Sequence, residues 1–214
     1  MIKLILSDFS GVLSNVNGDF STTGFYTTIR DENPKLMENI SNFLFKSSSG
    51  HITRAWMQGD ISYKELNMLM ARKFNTTEDY LNKHLIESVK KMKLNENLIN
   101  FYQKQRLNGT KVCIMSDNMD IFTEISIQHF HLNQYFDKIY NSADLKQLKG
   151  DKNCELAKRI ANEFGFEHKD ILAIDDGKKL LDELKEYGFK TFLYNNETYN
   201  QFEDWFTKIK HHQD

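Results

Sequence analysis

From about residue 96 onward the chain alternates between two periods, and this constrains its fold more than any other feature. Short apolar runs, KVCIMS, KIYNS, ILAID and KTFLY, are separated by NENLINFYQKQRLNG, DIFTEISIQHF, CELAKRIANEFGF and KLLDELKEYG, whose apolar residues recur at helical spacing. Strands separated by helices of this length are βαβ units, so the sheet they form is parallel. A last segment, YNQFEDWFTKIK, is expected to lay Phe202, Trp205, Phe206 and Ile209 on that sheet. Near the start, Lys3-Leu4-Ile5-Leu6 followed by Ser7-Asp8 is a further strand. It is too uniformly apolar to be half-exposed and suits a sheet buried on both faces.

Between these parts, from about 15 to 95, no strand pattern appears. PKLMENISNFLFK, SYKELNMLMARKF and EDYLNKHLIESVKKM all read as helices. Leu66, Leu69, Met70 and Phe74 share a face, Ser62 and Glu65 have the spacing of a capping box, and Thr77 begins the next helix after the break at Asn75. The expected organisation is an α/β core of Rossmann-like type, residues 1–14 and 96–214, interrupted by an all-helical insertion over 15–95.

With 214 residues and a 40% hydrophobic fraction, the chain has enough apolar material for one large core or a core with an insertion. A formal net charge of −2 gives no basic excess for nucleic acid. MIKLIL meets Asp8 too soon for the apolar core of a signal peptide, and no run reaches the ~20 apolar residues a membrane helix needs. The expectation is a cytoplasmic protein with reduced, buried Cys113 and Cys154. Oligomeric state is not encoded in any pattern here.

Ligands of open parallel sheets bind beyond the carboxyl ends of the strands. In sequence order those ends carry Asp8, then Ser116 with Asp117 and Asn118, then Lys149 after NSADLKQLK, then Asp175 and Asp176. A single acid at a strand end is an ordinary turn or capping residue. An acid, a hydroxyl, a lysine and an acid pair in order on one rim fit phosphoryl transfer. Asp8 would be the nucleophile. Mg²⁺, which prefers oxygen ligands, would be held by Asp8 with Asp175 or Asp176. Ser116 would bond phosphate oxygens and Lys149 would offset developing charge.

The series DFSGVL, IMSDN, LKGD and AIDDG resembles the four motifs of the haloacid dehalogenase-like (HAD) hydrolase superfamily. WMQGDISYKEL resembles a segment of the helical caps in its subclass I sugar-phosphatase-like and epoxide-hydrolase-N-domain-like members. The resemblance implies a cap inserted after the first motif, where the helical zone lies. It favours Lys149 over Lys146 and Lys152, and places Gly188 at the close of the helix after motif four. It also implies that the backbone carbonyl of Ser10 reaches Mg²⁺.

Two positions depart from that pattern. Family phosphatases carry a second Asp in motif one, which protonates the leaving group and then assists water; here it is Ser10. A hydroxyl has no useful pKa near neutrality, and general acid–base help contributes about 10²–10⁴ in rate. In motif four the usual Asp or Asn four residues after Asp176 is Leu180, and Asp182 falls on another side of the helix. Gly150 replaces a common proline. The reading is a slow Mg²⁺-dependent phosphatase of a small phosphorylated metabolite. One alternative is an impaired relative that binds a phosphorylated ligand in a regulatory role. A second is dehalogenase- or phosphonatase-type chemistry. The resemblance implies no Mg²⁺ for the first of these and a cap lysine for the second, and none of Lys35, Lys46, Lys64 and Lys73 stands out. His129 and His131 are expected at a helix end on the surface, and Trp56, Tyr63 and the methionines of LNMLMA as helix packing.

Overall fold

β1 (Leu4–Ser7) is buried along its whole length, and its alternating side chains enter two different cores. Ile5 packs with Val112, Ile114, Leu172 and Ile174, whereas Leu4 and Leu6 pack with Cys113, Met115, Ile171 and Ala173. A strand covered on both faces has no polar alternation, so it reads as one apolar run. The computed structural model describes residues 1–14, 24–46, 50–194 and 199–211. Among them β1, β2 (Lys111–Ser116), β3 (Lys138–Asn141), β4 (Ile171–Asp175) and β5 (Lys190–Leu193) form one sheet in the order β3-β2-β1-β4-β5. Every neighbouring pair is parallel, with Leu4 facing Lys111 on one side and Ile171 on the other. The α/β Rossmann-like class follows.

The helices are numbered α1 (Pro34–Ser41), α2 (Gly50–Met57), α3 (Tyr63–Phe74), α4 (Glu78–Lys90), α5 (Glu96–Leu107), α6 (Glu155–Phe164), α7 (Lys178–Glu186) and α8 (Tyr199–His211); shorter turns are given by residue range. α5 and α8 cover the Ile5 face, where Phe101 meets Phe202 and Phe206 edge-on at 4.8 Å each. Trp205 and Ile209 pack beside them, half-buried. α6 and α7 cover the other face through Leu156, Ile160, Leu181 and Leu184. Cys113 and Cys154 are free and buried there. Each fully buried side chain of this size contributes about 1.5–3 kcal/mol.

α1 to α4 share a separate core in which Trp56, Leu66, Met70, Leu81 and Leu85 are fully buried. Met119 and Ile121, from the segment after β2, belong to it too. Trp56, Tyr63 and Met70 are therefore packing residues, as expected of apolar side chains in a helical zone. The Ser62–Glu65 capping box forms, and Thr77 Oγ1 caps α4 by accepting the Tyr80 N–H at 3.2 Å. Residues 15–23, where the insertion is expected to begin, lie outside the described residues. No helix among the described residues is long and apolar enough to cross a membrane.

Some expected boundaries move. DIFTEISIQHF is not one α-helix: Phe122–Ser126 forms a wider π-type turn, closed by the Ile127 N–H on the Phe122 carbonyl, before Ile127–His129. The wide turn goes with Phe122 reaching the sheet-side core, 4.6 Å from the ring of Phe9. PKLMENISNFLFK likewise ends in a π-type turn at Asn42–Lys46. KIYNS and KTFLY each lose their last residue from the strand; Ser142 opens a short helix and the Tyr194 N–H donates to the Asp175 carbonyl at 2.9 Å. α2 was not foreseen by any helical pattern. His129 Nε2 bonds the Lys90 carbonyl at 3.0 Å on the surface, and His131 is an exposed left-handed residue beyond it.

Asp137 fastens the edge of the sheet. It accepts the Val112 N–H at 2.9 Å, Lys111 Nζ at 3.0 Å and Arg106 Nε at 3.2 Å. Burial opposes its charge, but these donors hold the carboxyl below its ordinary value. A depressed pKa stabilises the fold above the unfolded-state value and loses that contribution as pH falls through the folded one. Asp137→Ala is expected to lower stability by about 1–3 kcal/mol at neutral pH. In urea melts the gap to the natural chain should narrow below about pH 4.

Candidate active site

The three central strands deliver the site. Asp8 follows β1, Ser116 closes β2 and Asp175 closes β4, and because the strands are parallel and adjacent these side chains share one rim. Ser116 Oγ donates to Asp8 Oδ1 at 2.8 Å, and the Phe9 N–H donates to the same oxygen at 2.7 Å. Lys149 Nζ lies 2.9 Å from Asp8 Oδ2 and 2.7 Å from Asp175 Oδ2. All three are buried. Lys146 and Lys152, by contrast, are exposed.

Lys149 is positioned through its backbone. Its N–H donates to Asp117 Oδ1 at 2.7 Å, which fixes the loop after the edge strand against the end of β2. Asp175 Oδ1 accepts the Gly177 N–H at 2.7 Å, leaving Oδ2 for the lysine. Asp176 is exposed and reaches back to the first loop. A Cβ on Gly11, whose φ is +80°, would stand 2.2 Å from Asp176 Oδ2, so position 11 needs glycine for conformation and for space.

Asp8, Asp175 and Asp176 each present a carboxylate oxygen within 4.8 Å of the others. Crowding these acids under cover has a cost. Burial pushes the Asp8 carboxyl up to about 7, with Asp175 adding to the rise while Lys149 and Ser116 oppose it. Partial burial of its carboxyl group and then Asp175 raise Asp176, and burial raises Asp117. Burial disfavours the charge on Lys149, yet Asp8, Asp175 and Asp117 hold its pKa above the ordinary value. One cation among several acids is under-compensated. A second, oxygen-seeking cation fits this donor set and would keep the carboxylates ionised.

Ser10 accepts from Asn118 Nδ2 at 3.3 Å, and Asn118 is held by its own N–H to Ser142 Oγ at 2.9 Å. No acid stands in place of Ser10 in the first loop, Ser10-Gly11-Val12-Leu13-Ser14. Leu180 packs half-buried beside Leu181 and Leu184, and Asp182 pairs with Lys178 on the exposed side of α7.

The helices are fastened to this rim by residues that sequence reasoning did not single out. Asp120 accepts Trp56 Nε1 at 2.7 Å and the Tyr63 N–H at 2.9 Å. Asp151 pairs with Arg54 at 3.0 Å while its other oxygen accepts the Leu148 N–H at 3.1 Å, next to Lys149. Gly59, at φ +70°, lets the chain approach the Ala143 carbonyl; an added Cβ would be 2.2 Å from it. A cavity of about 720 Å³ lies between α1, α2 and the rim, lined at one end by Ser10, Asp117 and Asn118. Sequence carries no signal for it, because its wall is assembled from distant segments.

Comparison with solved structures places this architecture among known ones. A HAD family enzyme of Bacteroides thetaiotaomicron, in complex with magnesium and inorganic phosphate, superposes with a TM-score of 0.65 at 19% identity, covering 90% of this chain and 93% of that one. A predicted HAD-like hydrolase of Porphyromonas gingivalis gives 0.68 at 18% identity over 96% and 98%. L-2-haloacid dehalogenase from Xanthobacter autotrophicus, with chloropropionic acid covalently bound, gives 0.61 at 14% over 89% and 76%. At these identities the likeness is one of fold. No match is found among the curated proteins. The sequence profile of the haloacid dehalogenase-like hydrolases matches residues 8–179, from the first rim acid to the start of α7. The chain belongs to the haloacid dehalogenase-like hydrolase family.

Proposed function

We propose that the chain is a Mg²⁺-dependent phosphatase of a small phosphorylated compound, working through an aspartyl-phosphate on Asp8. The observation that carries this reading is the joint placement of Asp8, Ser116, Lys149 and the Asp175–Asp176 pair on one rim. An oxygen of Asp8 attacks phosphorus, the ester P–O bond breaks, and its electron pair leaves with the alcohol oxygen, which takes a proton from solvent. Water then attacks phosphorus and gives up a proton to solvent, the Asp8–phosphorus bond breaks, and inorganic phosphate leaves with the carboxylate restored. Lys149 holds Asp8 in place and offsets charge on the transferring group. Ser116 orients the nucleophile. Asp8, Asp175, Asp176 and the Ser10 carbonyl would hold Mg²⁺, which supplies Lewis-acid stabilisation of the phosphoryl oxygens. Residues 15–95 serve as a cap that limits access to water.

Support also comes from relatives. The Bacteroides thetaiotaomicron enzyme was crystallised with magnesium and phosphate. The dehalogenase alternative leaves the acid pair without work. The phosphonatase alternative needs a lysine facing the site. Lys35 pairs with Glu38 and Lys64 with Glu124, while Lys73 lies over the ring of Phe43. The side chain of Lys46 lies outside the described residues. A regulatory, phosphate-binding reading is favoured by one observation, the Ser10 hydroxyl occupied by Asn118.

The test is phosphate release from a panel of monophosphates. Chelation of divalent metal should lower the rate about a hundredfold or more, with Mg²⁺ restoring it. Full activity in chelator, or halide release in place of phosphate release, overturns the reading.

A further inference from the structure

The cavity beside the rim has two unlike ends. Its rim end is polar: Ser10, Asp117 and Asn118. Elsewhere the wall is dominated by Phe25, Pro34, Met37, Phe45, Met57 and Met119. At about 720 Å³ it has the size of a small-molecule site. Phe45 is 52% exposed, an uncommon state for a phenylalanine unless its ring serves a surface or an opening. Three of the wall residues are methionines, whose unbranched thioethers adapt to apolar shapes.

A sugar or nucleoside would press several hydroxyls against this wall. Away from Asp117 at the rim end, the charged groups in the lining, Arg30 and Glu38, are already engaged, Glu38 by Lys35 at 2.8 Å. Among the described residues Ser41, Asn42 and Thr53 are the further polar partners there, and the Thr53 hydroxyl is bonded to the Leu44 carbonyl. Hydroxyls buried without partners weaken binding, whereas methylenes against the same wall strengthen it.

We propose that the group esterified to phosphate in the natural ligand is an apolar body, an alkyl or aryl alcohol, held by this wall while the phosphate sits at Asp8. The proposal rests on the phosphoryl-transfer reading for the placement of the phosphate. The apolar wall itself is independent of turnover.

The test separates the two. Binding of ethyl-, butyl- and hexylphosphonate, of a sugar phosphonate of similar size and of inorganic phosphate is measured by calorimetry with Mg²⁺ present. Phosphate release is measured from the matching monophosphates. Affinity should rise with chain length, by up to about fourfold per methylene, and the hexyl compound should bind at least tenfold more tightly than the sugar compound. Met57→Asn, a neutral polar change at a half-buried position, should weaken hexylphosphonate at least tenfold while leaving inorganic phosphate unchanged. The unchanged phosphate binding reports an intact rim. Met37→Gln should act in the same direction with a smaller effect.

A flat chain-length series, or a sugar phosphonate that binds as well as the hexyl compound, overturns the apolar-body proposal. So does failure of every phosphonate to bind. Release of phosphate that is fastest from sugar phosphates overturns it while the phosphatase reading stands. A rising series without turnover of any monophosphate supports the apolar wall and overturns the phosphatase reading instead.

Discussion

Asp8→Asn is expected to abolish phosphate release and leave the chain folded. The change replaces one carboxylate oxygen by an amide nitrogen of equal size. The remaining oxygen can still accept from Ser116 and from the Phe9 N–H, as Oδ1 does now at 2.8 Å and 2.7 Å. What is lost is the anionic oxygen that attacks phosphorus, and an amide is a far poorer nucleophile. A drop of about 10⁴ or more is the scale for removing a nucleophile. The Lys149 ammonium, now shared between two acids, would keep Asp175 at 2.7 Å as its partner. Buried and still paired, it should not unfold the rim, so circular dichroism and the urea midpoint should stay close to natural. A second readout is direct. Acid-quenched natural protein should carry the added mass of a phosphoryl group on the peptide containing Asp8, and the variant should not. Persistent turnover in Asp8→Asn would remove Asp8 from the mechanism.

Ser10→Asp is expected to raise phosphate release by about 10²–10⁴, the usual contribution of positioned acid–base help. The substitution is accommodated by its surroundings. Asn118 Nδ2 already donates to the Ser10 hydroxyl at 3.3 Å, and a carboxylate accepts the same donor. The added acid would protonate the leaving oxygen and then assist the water that attacks the aspartyl-phosphate. The gain should appear in kcat with a smaller change in KM, since ground-state contacts are little altered. A bell-shaped pH profile should accompany it. If the natural protein is inert and only Ser10→Asp turns over, the natural role is binding. If both are equally fast, another group already supplies the proton.

Much of this site is legible in the sequence because a parallel sheet turns linear order into position. A buried strand must end at the rim, so the residue after LIL, the serine after KVCIM and the acids after ILAI can be assigned places from chain order alone. The lysine is harder, since it comes from a loop; the resemblance favoured Lys149, and the Asp117 bond to its N–H supplies the physical cause. What sequence does not reveal depends on contacts between distant segments. α2 sets Ile52 and Trp56 on one face toward the core of the helices, but a run of eight residues is too short for that period to stand out. The π-type turn at Phe122–Ser126 answers to the packing of Phe122 on Phe9, which local sequence does not encode. The cavity wall draws on α1, α2 and the segment after β2 together, so only the folded chain reveals its apolar character.

The stretch 117–121 has a consequence for how this protein can be taken apart. Asp117 anchors the lysine loop, Asn118 touches Ser10, Met119 faces the cavity, Asp120 grips Trp56 and Tyr63, and Ile121 sits in the core of the helices. Within five consecutive residues the chain therefore passes from fastening the rim, at Asp117 and Asn118, to building the interior of the helices, at Met119, Asp120 and Ile121. Selectivity and reactivity are not separable modules here. A chimera that transplants the helices alone would leave part of their own interior behind in the recipient, and the graft boundary would run through the reacting centre.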